Sequence, residues 1–308
     1  MYMSFSIVFP GQGSQSVGML ASLADAYPVV KDTFAQASDV LGYDVFKLTQ
    51  EGPVEELNQT SRTQPALLTA SYAIWQVWKS LNGKDPEFMA GHSLGEYSAL
   101  TCAGAIEFKD AVKLVEQRGI FMQESVPVGV GSMAAVIGLS DEEVVKGCKA
   151  AEEGQVCSAV NFNSQGQVVI AGNKEAVERA SVILKDAGAK KIVPLPVSVP
   201  SHCQLMKPAA DRLSEVLAGI KISAPAIPVI NNVDVAVETD PDKIRDALIR
   251  QLFSPVRWTE IVVKMADSGV ETLLEMGPGK VLTGLAKRID KRIEGVCANT
   301  PDAIQELI

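Results

Sequence analysis

Histidine, aromatic residues, positive charge and long apolar runs are all scarce in this chain. Basic residues number 28 against 37 acidic ones, a net charge of −9 over 308 residues. A surface of that sign excludes nonspecific nucleic-acid binding and adhesion to anionic membranes. No apolar window approaches the roughly 20 residues of a membrane span. The N-terminal apolar run, Phe5 to Phe9, stops at Pro10 without a cationic segment before it, and is too short for a signal peptide. The five cysteines (Cys102, Cys148, Cys157, Cys203, Cys297) are odd in number, scattered and never spaced C-x-x-C. That pattern argues for free thiols in a reducing cytoplasm, against a disulfide framework or a zinc site. Aromatics are 6% of the chain, so its core must be built from Ala, Val, Leu and Ile. At 47% hydrophobic there is enough of these for one large domain or two unequal ones.

What is present alternates between strand and helix. Phe5 to Phe9 reads as a strand running into the loop Pro10-Gly11-Gln12-Gly13-Ser14-Gln15. Val30, Phe34, Ala37 and Leu41 mark one face of a long helix. Pro65 is placed as the N1 proline of a helix reaching Leu81. A further helix spans about Lys109 to Glu124. This alternation predicts an α/β fold, a mostly parallel sheet flanked by helices. From Val128 to Val197 the texture differs. Ser132–Gly138, Val156–Phe162, Gln167–Ala171 and Lys191–Leu195 read as strands, with a helix started by the capping box Ser140–Glu143 and another capped by Asn173. The order βαββαβ is that of a ferredoxin-like unit. Residues 1–127 and 198–308 are thus expected to form a large α/β domain, and 128–197 an inserted subdomain.

Gly91-His92-Ser93-Leu94-Gly95 sits between a short strand, Glu87–Ala90, and a helix, Leu94–Ala103. In that context G-x-S-x-G is a nucleophile elbow; elsewhere it would be a turn whose serine does nothing. Glycines lacking Cβ permit the sharp turn, which lifts the Ser93 hydroxyl over the positive end of the helix. A serine needs a base. The chain has only two histidines, and His92 adjoins Ser93, where successive side chains diverge. His202 remains, in Val199-Pro200-Ser201-His202, stiffened by prolines at 194, 196 and 200. It is expected near the N-terminus of a helix from Cys203, whose dipole would keep the imidazole neutral; the alternative role is a helix cap. Oxyanion donors are expected from the backbone N–H of Leu94 and, from the Gly-rich loop, of Gln12, although such loops also serve packing alone.

Arg118 falls in the middle of the apolar stripe Ala111, Leu114, Val115, Phe121, Met122 of its helix. A guanidinium on a buried face requires an anion. That anion is either a core carboxylate or a substrate carboxylate held by the planar fork, and the nearby serine tips the balance toward substrate.

The runs Phe9-Pro10-Gly11-Gln12-Gly13-Ser14-Gln15, Gly91-His92-Ser93-Leu94-Gly95-Glu96-Tyr97, Gln117-Arg118-Gly119, Val199-Pro200-Ser201-His202 and Glu275-Met276-Gly277-Pro278-Gly279 occur in this order. Together they resemble the malonyl-CoA:acyl-carrier-protein transacylases of bacterial type II fatty-acid synthesis, over the whole length. The resemblance implies a hydrolase-like α/β core carrying the ferredoxin-like subdomain, and that Ser93 is acylated, His202 is the base, the Gln251 backbone carbonyl orients it, and Arg118 clamps the malonyl carboxylate. It also implies oxyanion donors at Gln12 and Leu94, ping-pong transfer between malonyl-CoA (releasing CoA) and acyl carrier protein, and no metal or redox cofactor. Met122 and Ser201 (with Val199) should shape the acyl pocket, with Asn163 and Gln64 as further contacts. An acidic carrier protein needs a local basic patch on this acidic chain. Lys280, Lys287, Arg288, Lys291 and Arg292 on a last long helix, joined by Lys190 and Lys191, supply a candidate, or else form an ordinary solvated face. A cytoplasmic monomer is expected. The other classes left open are a serine esterase or thioesterase on the same scaffold and a non-catalytic assembly module.

Overall fold

The computed structural model describes residues 4–197 and 199–308. Ser198, where the second segment of the large domain is expected to begin, lies outside the described residues. Phe5–Phe9 forms strand β1 as expected. It is followed by β2 (Met89–Gly91), β3 (Gly131–Ile137), β4 (Cys157–Ser164), β5 (Gln167–Asn173), β6 (Lys191–Pro194), β7 (Val229–Ile230), β8 (Thr272–Glu275) and β9 (Glu294–Cys297).

Five strands make a parallel sheet in the order β7-β2-β1-β8-β9. Strand β1 sits at its centre, and successive side chains point to opposite faces. Ile7 and Phe9 enter the larger core, beneath Leu67, Leu68 and Ile74 of the helix Thr60–Ser80 and Leu114 and Val115 of the helix Phe108–Glu124. Val8 joins the other face, with Ile261, Val262 and Leu285. Burial on both faces explains why β1 is almost continuously apolar.

The remaining strands form an antiparallel sheet, β4-β5-β3-β6, in βαββαβ order with the helices Asp141–Ala150 and Lys174–Asp186. Ala134, Val136, Val168 and Ile170 face those helices. Met133, Val160, Val169 and Ala171 face the other way, onto Cys203 and the site described below. Backbone bonds tie β4 to the parallel-sheet body, Phe162 N–H to Val256 O (3.0 Å) and Val256 N–H to Val160 O (2.8 Å).

Three local expectations are corrected. Pro65 lies inside its helix, which begins five residues earlier at Thr60. Proline removes one backbone donor there, and the early turn is held from outside, Ser61 N–H donating to Gln123 Oε1 (2.6 Å). Asn173 precedes its helix, but its Oδ1 accepts from Val156 N–H (2.8 Å) instead of capping. His202 is followed by a single 3₁₀ turn, Gln204–Met206, before the helix Lys207–Ala218, so no long helix dipole begins at it.

Candidate active site

The elbow forms because nothing larger than glycine fits around it. A Cβ on Gly91 would lie 1.8 Å from the Gly95 carbonyl carbon, and one on Gly95 would lie 2.0 Å from Phe9 O. Ser93 is driven to φ 53°, ψ −106°, and begins the helix Leu94–Cys102. His202 also has positive φ, 64°. Both strained residues therefore converge on one place, where surrounding structure over-determines them.

Ser93 Oγ lies 2.7 Å from His202 Nε2, and His202 Nδ1 lies 2.7 Å from the Gln251 carbonyl. A carbonyl can only accept, so Nδ1 carries the hydrogen and Nε2 offers its lone pair to the serine hydroxyl. Burial, then the neighbouring Arg118 charge, lower the His202 pKa to about 3. The imidazole is neutral through desolvation and not, as the sequence suggests, through a helix dipole. No acidic side chain is needed to orient it.

Arg118 is 1% exposed. Its Nη1 donates to Gln64 Oε1 (2.8 Å), and its Nη2 to Gln251 Oε1 (3.0 Å) and Ser93 Oγ (3.2 Å). Among the described residues no carboxylate pairs with it directly, and its buried Nε has no partner. The core-carboxylate alternative is thereby disfavoured. A buried cation 3.2 Å from a serine hydroxyl is arranged to receive an anion carried by whatever Ser93 meets.

These groups line a cavity of about 110 Å³ together with Gln12, Gln64, Leu94, Met122, Met133, Asn161, Val199 and Ser201. Gln12 and Leu94 thus share the Ser93 cavity. The loop residue Gln12 follows β1, the elbow follows β2 and Asn232 follows β7, so the site lies beyond the carboxyl ends of parallel strands. The Glu275–Gly279 run supports this loop from behind, since a Cβ on Gly277 would strike Pro10. An adjoining hollow of about 270 Å³ shares Gln12, Thr60, Val197 and Val199.

Asn163 is not part of the cavity wall. Its Oδ1 lies 2.8 Å from His92 Nε2, so it holds the elbow histidine, while Asn161 on the same strand faces the cavity. Three contributions escaped sequence reasoning. Asn232 Oδ1 accepts from Ser93 N–H (2.8 Å), and its Nδ2 donates to Gly91 O (2.7 Å). The Gln251 side chain joins Arg118 to Ser93 O (3.0 Å) and to Glu96 Oε2 (2.8 Å). Glu96, 2% exposed, is the only charged residue of its otherwise uncharged helix. That is the same kind of signal that singled out Arg118.

The basic residues do not share one helix. Lys287 and Arg288 end the helix Val281–Ile289, while Lys291 and Arg292 lie beyond it. Arg292 is engaged by Asp290 and Asp267. Arg288 Nη1 reaches Gln167 Oε1 (3.4 Å), and Gln167 and Lys191 flank Ile137 in the antiparallel sheet.

Among the described residues no group of three or more metal-ligating side chains occurs, and no helix is long and apolar enough to cross a membrane. Residues 6–299 match the Acyl transferase domain family. Over 300 residues the chain is 64% identical to the malonyl CoA-acyl carrier protein transacylase of Escherichia coli strain K12, covering 97% of each. The crystal structure of an acyl carrier protein S-malonyltransferase from Vibrio cholerae superposes with a TM-score of 0.98 at 66% identity, covering 99% of this chain and 100% of that one. A malonyl-transacylase in complex with its type II PKS acyl-carrier protein superposes with a TM-score of 0.98 at 60% identity, covering 99% and 98%. The elbow, the buried histidine beside it and the guanidinium without a carboxylate partner therefore stand on a chain that belongs to the malonyl CoA-acyl carrier protein transacylase family of acyl transferases.

Proposed function

We propose that the chain transfers the malonyl group from malonyl-CoA to the phosphopantetheine thiol of an acyl carrier protein, in fatty-acid biosynthesis, by a ping-pong route through malonyl-Ser93. The observation that carries this reading is Arg118, a buried guanidinium without a carboxylate partner, 3.2 Å from Ser93 Oγ. Ser93 Oγ attacks the thioester carbonyl as its proton passes to His202 Nε2. Backbone amides of Gln12 and Leu94 receive the oxyanion. Collapse breaks the C–S bond, and CoA leaves with the His202 proton. The carrier thiol then repeats the sequence on malonyl-Ser93, again with His202 as base. Through both halves Arg118 holds the malonyl carboxylate while Gln64, Met122 and Ser201 bound the acyl group. The arm enters through the hollow beside Gln12 and Val199, which shares those residues with the cavity wall. The reaction balances without a cofactor.

Residues 128–197 act as one inserted unit whose inner face closes the site, in a monomer of the cytoplasm; the free thiols of all five cysteines accord with that compartment. The carrier docks on Lys190, Lys191, Lys287 and Arg288. The Arg288–Gln167 contact, with only β3 between Gln167 and Lys191, supports a single patch spanning both bodies. An esterase on the same scaffold is disfavoured by Arg118, since a general acyl pocket gains nothing from a buried cation.

Intact-mass analysis after incubation with malonyl-CoA tests the reading. Wild type should gain one malonyl group and pass it to carrier protein, and Ser93→Ala should gain none. Free malonate as the main product in the presence of carrier protein would overturn transfer in favour of hydrolysis.

A further inference from the structure

Three buried or half-buried residues that do the chemistry, Ser93, Arg118 and His202, are tied to one carboxylate that does none. Glu96 Oε2 accepts two hydrogen bonds, from Asn232 N–H (2.9 Å) and Gln251 Nε2 (2.8 Å). From Asn232 the chain of bonds continues to Ser93 N–H. From Gln251 it continues three ways: Nε2 to Ser93 O, Oε1 to Arg118 Nη2, and the backbone carbonyl to His202 Nδ1. A glutamine amide can be turned over, exchanging its oxygen and nitrogen. Only with Nε2 on Glu96 does Oε1 face Arg118. A flipped amide would set NH₂ against the guanidinium and leave a cation and a carboxylate both unmatched.

Resting on the malonyl-transfer reading above, we propose that Glu96 is a positioning residue: its ionised carboxylate locks the Gln251 amide and, through it, holds Arg118 and His202 in the arrangement that activates Ser93. Glu96 is also the anion nearest in this chain of bonds to Arg118, one amide away. Its charge offsets the guanidinium that otherwise suppresses the basicity of His202. Arg118 remains free to take a substrate carboxylate because the offset acts through Gln251 and not by direct pairing.

Burial pushes the Glu96 pKa up from 4.5 to about 7, against the bonds from Gln251 and Asn232 and the Arg118 charge. The charged and titratable groups around it are Arg118, Tyr97 on its own helix, and Asp234 and Glu238 after β7. Strands β1 and β2 carry no charged residue. Arg62 and Lys79 of the helix Thr60–Ser80 are paired elsewhere, with Glu56, Glu116 and Asp85. On the helix Pro241–Gln251, Lys243, Arg245 and Arg250 are paired with Glu238, Asp242, Asp234 and Asp246. Glu96 therefore changes charge near neutrality, while His202 stays neutral down to about pH 3.

The test is the rate of malonyl-Ser93 formation from malonyl-CoA, by quench and intact mass, over about pH 5.5 to 9. In wild type kcat/KM for this half-reaction should fall about 10-fold on the acid side, the scale of losing a charge-assisted bond, with its midpoint near 7. Glu96→Gln should be flat across the range, at the acid plateau of wild type. Glu96→Ala, which also frees the amide to turn, should lose about 10²-fold, as expected for misplaced catalytic groups. In both variants the loss should fall on the acylation rate and leave the half-saturating malonyl-CoA concentration in place. A limb near 7 that survives in Glu96→Gln, acylation at the wild-type rate, or a loss carried wholly by saturation would overturn the proposal. Should Glu96→Ala fail to fold, the two profiles of wild type and Glu96→Gln decide alone. A wild type that forms no malonyl-Ser93 at all would instead bring down the malonyl-transfer reading beneath it.

Discussion

Glu96→Gln is expected to stabilise the folded chain, and to do so only as the pH rises. A carboxyl whose folded pKa is raised favours the fold while protonated; that advantage is complete below its unfolded pKa and is lost as pH rises through the folded one. For Glu96 the window runs from 4.5 to about 7. At about 1.36 kcal/mol per pKa unit, wild type should lose about 3 kcal/mol relative to the glutamine variant across that window. His202 acts with the opposite sign. Its folded pKa is lowered to about 3, so its contribution is full above 6.5 and declines as pH falls. Between 4.5 and 6.5 the two slopes oppose each other, so the wild-type stability curve alone would conceal both. The difference between Glu96→Gln and wild type isolates the carboxylate. Urea unfolding followed by tryptophan fluorescence should give a difference under about 1 kcal/mol at pH 5 and about 3 kcal/mol at pH 8. An equal difference at both pH values, or a variant less stable than wild type at pH 8, would refute the claim that this carboxylate is held ionised against its surroundings. Functional groups are commonly kept in environments that stability alone would not choose.

Three further outcomes follow from the geometry. Arg118→Ala should lose malonyl transfer and accept uncharged acyl-CoA in its place, read as a switch in adduct mass on Ser93; full malonyl activity would remove the clamp role. Gly95→Ala should abolish activity and destabilise the fold by more than about 2 kcal/mol, because the new Cβ would sit 2.0 Å from Phe9 O in a strand that cannot retreat; a soluble, active variant would contradict the close approach. Reversing charge at Lys287 and Arg288 should raise the apparent KM for carrier protein and leave that for malonyl-CoA unchanged; equal movement of both, or of neither, would dissolve the patch.

Much of the architecture was readable from local pattern. The continuous apolar run of β1, the capping box at Ser140 and the βαββαβ succession each depend on neighbouring residues alone, and each has its expected form. The signal of Pro65 is ambiguous. A proline opens a helix unless other groups hold the turn before it, and here the Gln123 side chain, 62 residues from Ser61, does so. Spacing alone places the basic residues near the C-terminus on one helix, but the helix ends at Ile289, with Asp290 bonding Arg292 beyond it. In the cavity, Ser93 was legible from its glycines, His202 from the shortage of histidine, and Arg118 from standing on the wrong face of its helix.

The sequence by itself determined that a serine would be forced into a turn, that one histidine was available to meet it, and that a cation was buried nearby. Each of these follows from steric or charge rules that act over a few residues. Only the tertiary structure decided how those three were joined. Asn232 meets Ser93 across 139 positions, Gln251 meets Glu96 across 155 and Arg118 across 133. A polar side chain at the end of an ordinary helix carries no local mark of such a role. What assigns it is desolvation: once the chain has closed over these groups, each donor and acceptor must find a partner, and the partners are set by the fold.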